Sequence, residues 1–108
     1  MAKTTSELKS IVARFREELE RSGIRCEKIF LYGSYAHGKP REGSDIDLIV
    51  VSQDWERFSS RERLEQLGIT AARILEPIQA QGFTPDEIAR HQILPLWEMI
   101  LQREAVVI

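Results

Sequence analysis

Two short patterns in this chain carry residue types suited to phosphate and metal chemistry: Gly33-Ser34 and Asp45-x-Asp47. Glycine lets a backbone turn tightly and approach a ligand closely. A Gly-Ser pair at a strand end, opening a short helix, points amides and one hydroxyl outward, and such groups hold phosphate oxygens. Alone, the signal is weak, because Gly-Ser is common in plain turns. Asp45 and Asp47 have the spacing that projects from one face of a strand. Two carboxylates heading the aliphatic run Ile46 to Val51 repel each other and are costly without a partner. A divalent cation relieves that cost, because magnesium prefers carboxylate oxygens together with substrate phosphates. Alone, these aspartates better suit a capped turn, or pairing with Lys39 or Arg41. Ten residues lie between Ser34 and Asp45, and a return loop of that length can bring both patterns together. The combined site would hold a triphosphate and its magnesium at once.

The elements that must position these residues are legible from periodicity and capping. Thr4-x-x-Glu7 has the form of a capping box. Leu8, Ile11, Val12, Phe15 and Leu19 follow at helical spacing, and Ser22-Gly23 is the expected stop. Lys28 to Tyr32 reads as a buried strand running into Gly33-Ser34. Asp45 to Ser52 reads as a second strand with aliphatic residues on both faces, which suits a central position in a sheet. Asp54 to Ser60 is a connector packed down by Trp55 and Phe58. A helix is expected from about Arg61 to Ile74, with Leu64, Leu67 and Ala71 inward. Pro77 to Phe83 reads as a weaker strand with Ile78 and Ala80 on one face. Thr84-Pro85-Asp86-Glu87 is a second strong helix start. Pro95 opens an apolar helix to about Arg103, and Ala105 to Ile108 suits a short edge strand. The alternation predicts an α/β (α+β) fold, a small mixed β-sheet with helices packed on it.

Composition bounds the alternatives. The 108 residues fit one domain, residues 1–108, large enough for a core without disulfides. The formal net charge is −2, with acidic and basic residues mixed along the chain. A dedicated nucleic-acid binder usually carries a basic patch, so a nucleic-acid partner is disfavoured. Cys26 is the lone cysteine and has no metal-ligand spacing around it; it suits a small residue at the start of a strand. The N-terminus lacks the apolar stretch of a signal peptide, and no run is long enough to span a membrane. The expected location is the cytoplasm.

Gly33-Ser34-Tyr35-Ala36-His37-Gly38 and Ser44-Asp45-Ile46-Asp47-Leu48 together resemble the signature of the polymerase-β-type nucleotidyltransferase superfamily. The chain is similar to its minimal branch, the stand-alone nucleotidyltransferase domains encoded beside a HEPN-domain protein. The resemblance implies a nucleotidyltransferase fold. It implies that Gly33 and Ser34 grip phosphates, aided by Ser44, and that Asp45 and Asp47 are catalytic Mg2+ ligands. The implied substrate is ATP or another nucleoside triphosphate. The implied reaction is attack of a hydroxyl on the α-phosphate, with pyrophosphate leaving. Metal ions about 4 Å apart would stabilise the developing charge in a two-metal site. The implied partner is a HEPN toxin, modified with AMP by this chain as its antitoxin.

Active members of that family usually carry a third carboxylate on a later strand. Counting back from Thr84, that position is Gln79, which offers a neutral carbonyl oxygen but neither charge nor base. Glu76, three residues earlier and on the opposite strand face, is the alternative stand-in. The departure at Gln79 supports a second reading: an impaired module that neutralises its partner by binding it. Transfer to a small molecule is a third, and the lack of room for a substrate domain counts against it. Lys39 and Arg41 are candidates to neutralise phosphate, or else a solvated loop. His37 is either a phosphate contact or a surface residue, and His91 reads as structural. Trp97 and Met99 suit a core or a partner surface. The residues leave association with further copies of the chain open.

Overall fold

The computed structural model describes residues 2–40 and 42–108. The expected interaction at Arg41 therefore lies outside the described residues. Four strands form one mixed sheet. They are β1 (Lys28–Tyr32), β2 (Ile46–Val51), β3 (Ile78–Phe83) and β4 (Val106–Val107), in the order β3-β2-β1-β4. β1 pairs antiparallel with β2 and with β4, while β2 and β3 run parallel. A parallel pair cannot be joined by a tight turn. The chain between them instead forms a short 3-10 turn (Gln53–Arg57) and a helix.

The central β2 is buried along nearly its whole length, as its two-sided aliphatic pattern requires. It divides two apolar clusters. Ile46, Leu48 and Val50 meet Leu8, Ile11, Val12, Phe15 and Leu19 of α1 (Thr5–Arg21), and Leu67 and Ala71 of α2 (Ser60–Arg73). Ile49 and Val51 belong to the opposite cluster. There they join Phe30, Tyr32 and Phe83 of the neighbouring strands, with Ile88 of α3 (Pro85–Ala89) and Trp97 and Ile100 of α4 (Pro95–Arg103). Asp47 is two residues from Ile49 and so shares this second face.

The three capping boxes at Thr4, Ser59 and Thr84 all form, each with a glutamate three residues on returning the bond. They fix where the helices begin and hence where the loops between strands end. Trp55 is fully buried, as the connector predicts, and donates its indole N–H to Val50 O at 3.1 Å. It lies against Gly82, where an added Cβ would come within 2.7 Å of the ring.

Several expectations need correction. The second strand begins at Ile46 rather than Asp45 and ends at Val51. Ser52 instead caps the 3-10 turn, accepting a hydrogen bond from Asp54 N. Leu64 is not inward but 48% exposed, whereas Arg63 beside it is only 8% exposed. Arg63 goes in because its donors find five acceptors there. Its Nε reaches Trp55 O and Phe58 O, both at 3.1 Å, and its terminal nitrogens reach Gly82 O and both Glu87 oxygens. A buried guanidinium is tolerated when its hydrogen bonds are met in this way. Among the described residues, no helix is long and apolar enough to cross a membrane.

Candidate functional site

The Gly-Ser turn and the aspartates come together at one end of the sheet. β1 ends at Tyr32, and Gly33–Tyr35 form a single 3-10 turn directly after it. The antiparallel register sets Tyr32 opposite Asp47, and the parallel register sets Gln79 opposite Asp47 on the other side. Tyr32, Asp47 and Gln79 thus make a row across three strands on one face. Gly33 adopts φ +74°, a conformation open mainly to glycine. The place its Cβ would take is already filled by the Asp47 carboxylate: that Cβ would overlap Asp47 Oδ2 and lie 3.1 Å from Cγ. The turn and the acidic pair are therefore in direct contact, and no side chain fits between them.

The electrostatics at this junction are unbalanced. Burial pushes the Asp47 carboxyl above its ordinary range, and the charge of Asp45 pushes it further. Burial also drives the Tyr32 hydroxyl up to about 12, with Asp47 adding to the shift. Among the described residues, no donor or cation is recorded against either aspartate. A half-buried carboxylate next to a second one, with no compensating hydrogen bond, favours either a proton or a bound cation. The donor set fits a hard cation such as Mg2+, which takes one or two protein carboxylates and completes its shell with water and phosphate oxygens. Among the described residues, no three His, Cys, Asp or Glu side chains gather into a metal-sized group. The Gln79 amide lies in the neighbouring register.

The remaining sequence candidates separate clearly. Ser34 is half-buried in the turn, and Ser44 is half-buried in the loop before Asp45. Asp45 and Lys39 are exposed at the rim. Glu76 lies before β3, where Arg14 of α1 holds it at 3.3 Å, so it is engaged on the far side of the sheet from Asp47. His37 is exposed and its Nε2 lies 3.6 Å from Glu104, linking the end of the Gly-Ser turn to the segment after α4. His91 Nδ1 meets Glu98 at 2.8 Å, a structural contact between the turn after α3 and α4. Trp97 packs edge-on to Tyr32 with centroids 5.7 Å apart and is tilted against Phe83 at 6.0 Å. It is core on this face, whereas Met99 is 41% exposed. Cys26 is buried, and burial raises its thiol to about 11, so it stays protonated and unreactive near neutral pH.

Sequence reasoning missed two residues. Tyr32 touches the site only through the strand register, which the long return loop does not reveal. Arg63 reads as a surface residue of an amphipathic helix, and no local signal marks its five acceptors.

Comparison with known proteins places the chain in a family. The family model described as Nucleotidyltransferase domain matches residues 12–105. A protein of Methanocaldococcus jannaschii that carries a provisional protein-adenylyltransferase name is 42% identical over 48 residues, 44% of this chain and 55% of that protein. The protein adenylyltransferase MntA of Thermococcus cleftensis is 40% identical over 58 residues, 53% of this chain and 54% of that one. The chain thus spans about half the length of the curated relatives it matches. Among solved structures, a provisionally named nucleotidyltransferase from Sulfolobus solfataricus superposes with a TM-score of 0.56 at 18% identity, covering 99% of this chain and 89% of that one. A toxin–antitoxin crystallised with AMP-PNP superposes with a TM-score of 0.60 at 19% identity, covering 86% and 68%. At such identities these superpositions establish a shared fold. The sequence match extends over both halves of the site and most of the elements around it, and on that ground the chain belongs to the nucleotidyltransferase domain family.

Proposed function

We propose that the chain is a Mg2+-dependent adenylyltransferase that transfers AMP from ATP to a protein partner, a HEPN-domain toxin, and so acts as its antitoxin. The observation that carries this reading is the contact of Gly33 with the Asp47 carboxylate. It sets the Gly-Ser turn and an aspartate carboxylate within one ligand's reach, which supports a joint grip on a metal–nucleotide. The names of the curated relatives support the same chemistry, and the solved toxin–antitoxin assemblies support the kind of partner. The expected setting is the cytoplasm, where ATP is available.

In this reading the amides of the Gly33–Tyr35 turn and the Ser34 hydroxyl hold the β- and γ-phosphates. Ser44 orders the loop that presents Asp45. Asp45 and Asp47 would hold Mg2+, which would supply charge neutralisation for the phosphate oxygens. A hydroxyl oxygen of the partner bonds to the α-phosphorus, the bond to the bridging oxygen breaks, and pyrophosphate leaves. The hydroxyl proton passes to water at the open rim where Asp45 is exposed. The chain's own work is positioning and electrostatics.

A second reading has its own observation. Gln79 occupies the register next to Asp47 and cannot supply charge or act as a base. That favours a module that binds a metal–nucleotide and neutralises its partner by forming a complex. One experiment separates the two. The chain is co-expressed with the product of its genomic neighbour, supplied with ATP and Mg2+, and the partner is weighed by mass spectrometry. An AMP-sized gain that disappears in Asp45→Ala and Asp47→Ala supports the enzyme. A tight complex without mass gain, indifferent to those substitutions, replaces it with the binding module.

A further inference from the structure

The sheet ends in two outer strands, β4 with two residues and β3 with six. Edge strands are usually blunted by charge, proline or brevity. From Ile78 to Thr84 the chain carries no charged residue and no proline. Pro77 O accepts from Ile46 N, and Phe83 O accepts from Ser52 N, so the odd-numbered residues of β3 face β2. Backbone groups alternate in direction along a strand, and Ile78, Ala80 and Gly82 therefore aim theirs outward. Two of these outward groups are occupied within the chain: Ile78 N donates to Glu76 O at 2.9 Å, and Gly82 O accepts from Arg63 Nη1 at 3.1 Å. Among the described residues, the others form no hydrogen bond: the carbonyls of Ile78 and Ala80, and the N–H groups of Ala80 and Gly82.

These free groups are self-complementary. When a second copy of the strand is laid antiparallel with Ala80 on the two-fold axis, Ala80 faces Ala80 and Gly82 faces Ile78. Ala80 N–H meets Ala80 O in both directions, and each Gly82 N–H meets an Ile78 O. The one ladder bond left out, from Ile78 N to Gly82 O, joins the two groups already satisfied. An unrelated strand has no reason to match that gap, and the uncharged edge sets no like charges against each other. The side chains agree. On the Asp47 face, Gln79 of one copy stands opposite Gln81 of the other, and each amide has donors and an acceptor to exchange. On the other face α2 runs back along β3, with Arg63 level with Gly82. A rise of about 1.5 Å per helical residue and 3.3 Å per strand residue brings Gly68 level with Ala80. A Cβ added at Gly68 meets nothing within 4 Å, so two copies of α2 can approach there, flanked by the exposed Leu64 and Leu75.

We propose that the chain forms a homodimer in which β3 pairs antiparallel with β3 of a second copy about Ala80, joining two four-stranded sheets into one. Both Asp47 side chains then open on the same side of the joined sheet, with their Cα atoms about 16 Å apart by strand spacing and rise. Gln81 of the second copy borders the Gln79 position of the first. This pairing rests on the strand edge and is independent of the nucleotide reading.

The test is analytical ultracentrifugation of the whole chain without nucleotide. The wild type is expected to sediment as a dimer of the 12.5 kDa chain. Ala80→Pro and Gly68→Glu are each expected to weaken association at least about tenfold. Proline suits an edge position whose N–H points outward, and a glutamate at Gly68 meets its like charge only across the axis. Melting temperature checks folding, and if Ala80→Pro does not fold, Gly68→Glu decides. Ala80→Cys places paired Cα atoms about 5.5 Å apart, within disulfide range, and is expected to give a covalent dimer on oxidation. A chain that stays monomeric, a dimer that neither substitution weakens, or an Ala80→Cys chain that does not cross-link overturns the proposal. A monomer whose complex with another protein is lost on Ala80→Pro also overturns it, and gives the edge to that protein. None of these results is read through Mg2+–ATP binding, so the proposed function stands or falls separately.

Discussion

Replacing Gly33 by alanine tests the central contact of the site most directly. The substitution has two separable costs. The first is backbone: at φ +74° a side chain costs about 1–2 kcal/mol. The second is steric, because the new methyl would occupy the space of the Asp47 carboxylate. Turning Asp47 off its rotamer costs about 0.5–1.5 kcal/mol more. Gly38 provides the internal control. Its φ is +69°, yet an added Cβ there meets nothing within 4 Å, so Gly38→Ala carries the backbone cost alone. At about 4 °C per kcal/mol for a domain of this size, Gly38→Ala should lower Tm by ~4–8 °C and Gly33→Ala by several degrees more. The two variants should also part in function. Gly33→Ala moves a proposed metal ligand and should weaken binding of Mg2+–ATP by about tenfold or more, while Gly38→Ala should leave it nearly intact. In a double-mutant cycle, Asp47→Ala should recover the steric part of the Gly33→Ala penalty but not the backbone part. The assays are thermal unfolding and calorimetric titration with Mg2+–ATP. If Gly33→Ala costs no more stability than Gly38→Ala and binds ligand normally, the turn and the aspartates do not act as one site.

Two further perturbations test the neighbouring features. Gln79→Asp sets a third carboxylate in register with Asp47; without metal it should lower Tm through added repulsion, and with Mg2+ it should bind metal several-fold more tightly than the wild type. No gain in Mg2+ affinity by calorimetry would mean that Gln79 does not face the metal position. Arg63→Met removes the partner of Glu87, whose side chain keeps 27% exposure; discounted for that exposure, the loss should be about 2–3 kcal/mol. The same pair predicts a pH dependence. Burial raises the Glu87 carboxyl, but hydrogen bonds from Arg63 and Thr84 and the Arg63 charge outweigh it, so its pKa is lowered. A lowered carboxyl contributes stability above its unfolded pKa of about 4.3, and that contribution is lost as pH falls through the folded value. Denaturant unfolding should therefore show the gap between wild type and Arg63→Met narrowing below about pH 4.3; a gap constant with pH would mean that the ion pair is not its source.

The sequence was informative wherever the physics is local. Capping boxes at Thr4 and Thr84 depend on hydroxyls and carboxylates three residues apart, and both form as read. The two-sided aliphatic run after Asp45 required a central strand, and β2 lies inside the sheet. The type and spacing of Gly33-Ser34 and Asp45-x-Asp47 were enough to pick out the segment that turns out to be assembled. Counting back from Thr84 also reached Gln79, because a continuous strand keeps its period, and the register sets that residue beside Asp47.

What the chain alone could not decide depends on contacts between elements distant in sequence. Leu64 is exposed where an inward place was expected, and Arg63 beside it is buried because carbonyls from the connector and from β3 converge on the guanidinium, which local hydropathy does not encode. Glu76 is paired with Arg14, a residue 62 positions away, a contact its local sequence does not reveal. Tyr32 joins the site only through the register of β1 against β2. The same holds for Gly33. The sequence marks it as a glycine at a strand end, useful for a tight turn. Only the folded sheet shows that the volume a side chain would need is occupied by the carboxylate of Asp47. Residue type and spacing determine which groups are available for chemistry, while excluded volume and hydrogen-bond satisfaction across the sheet determine which of them meet.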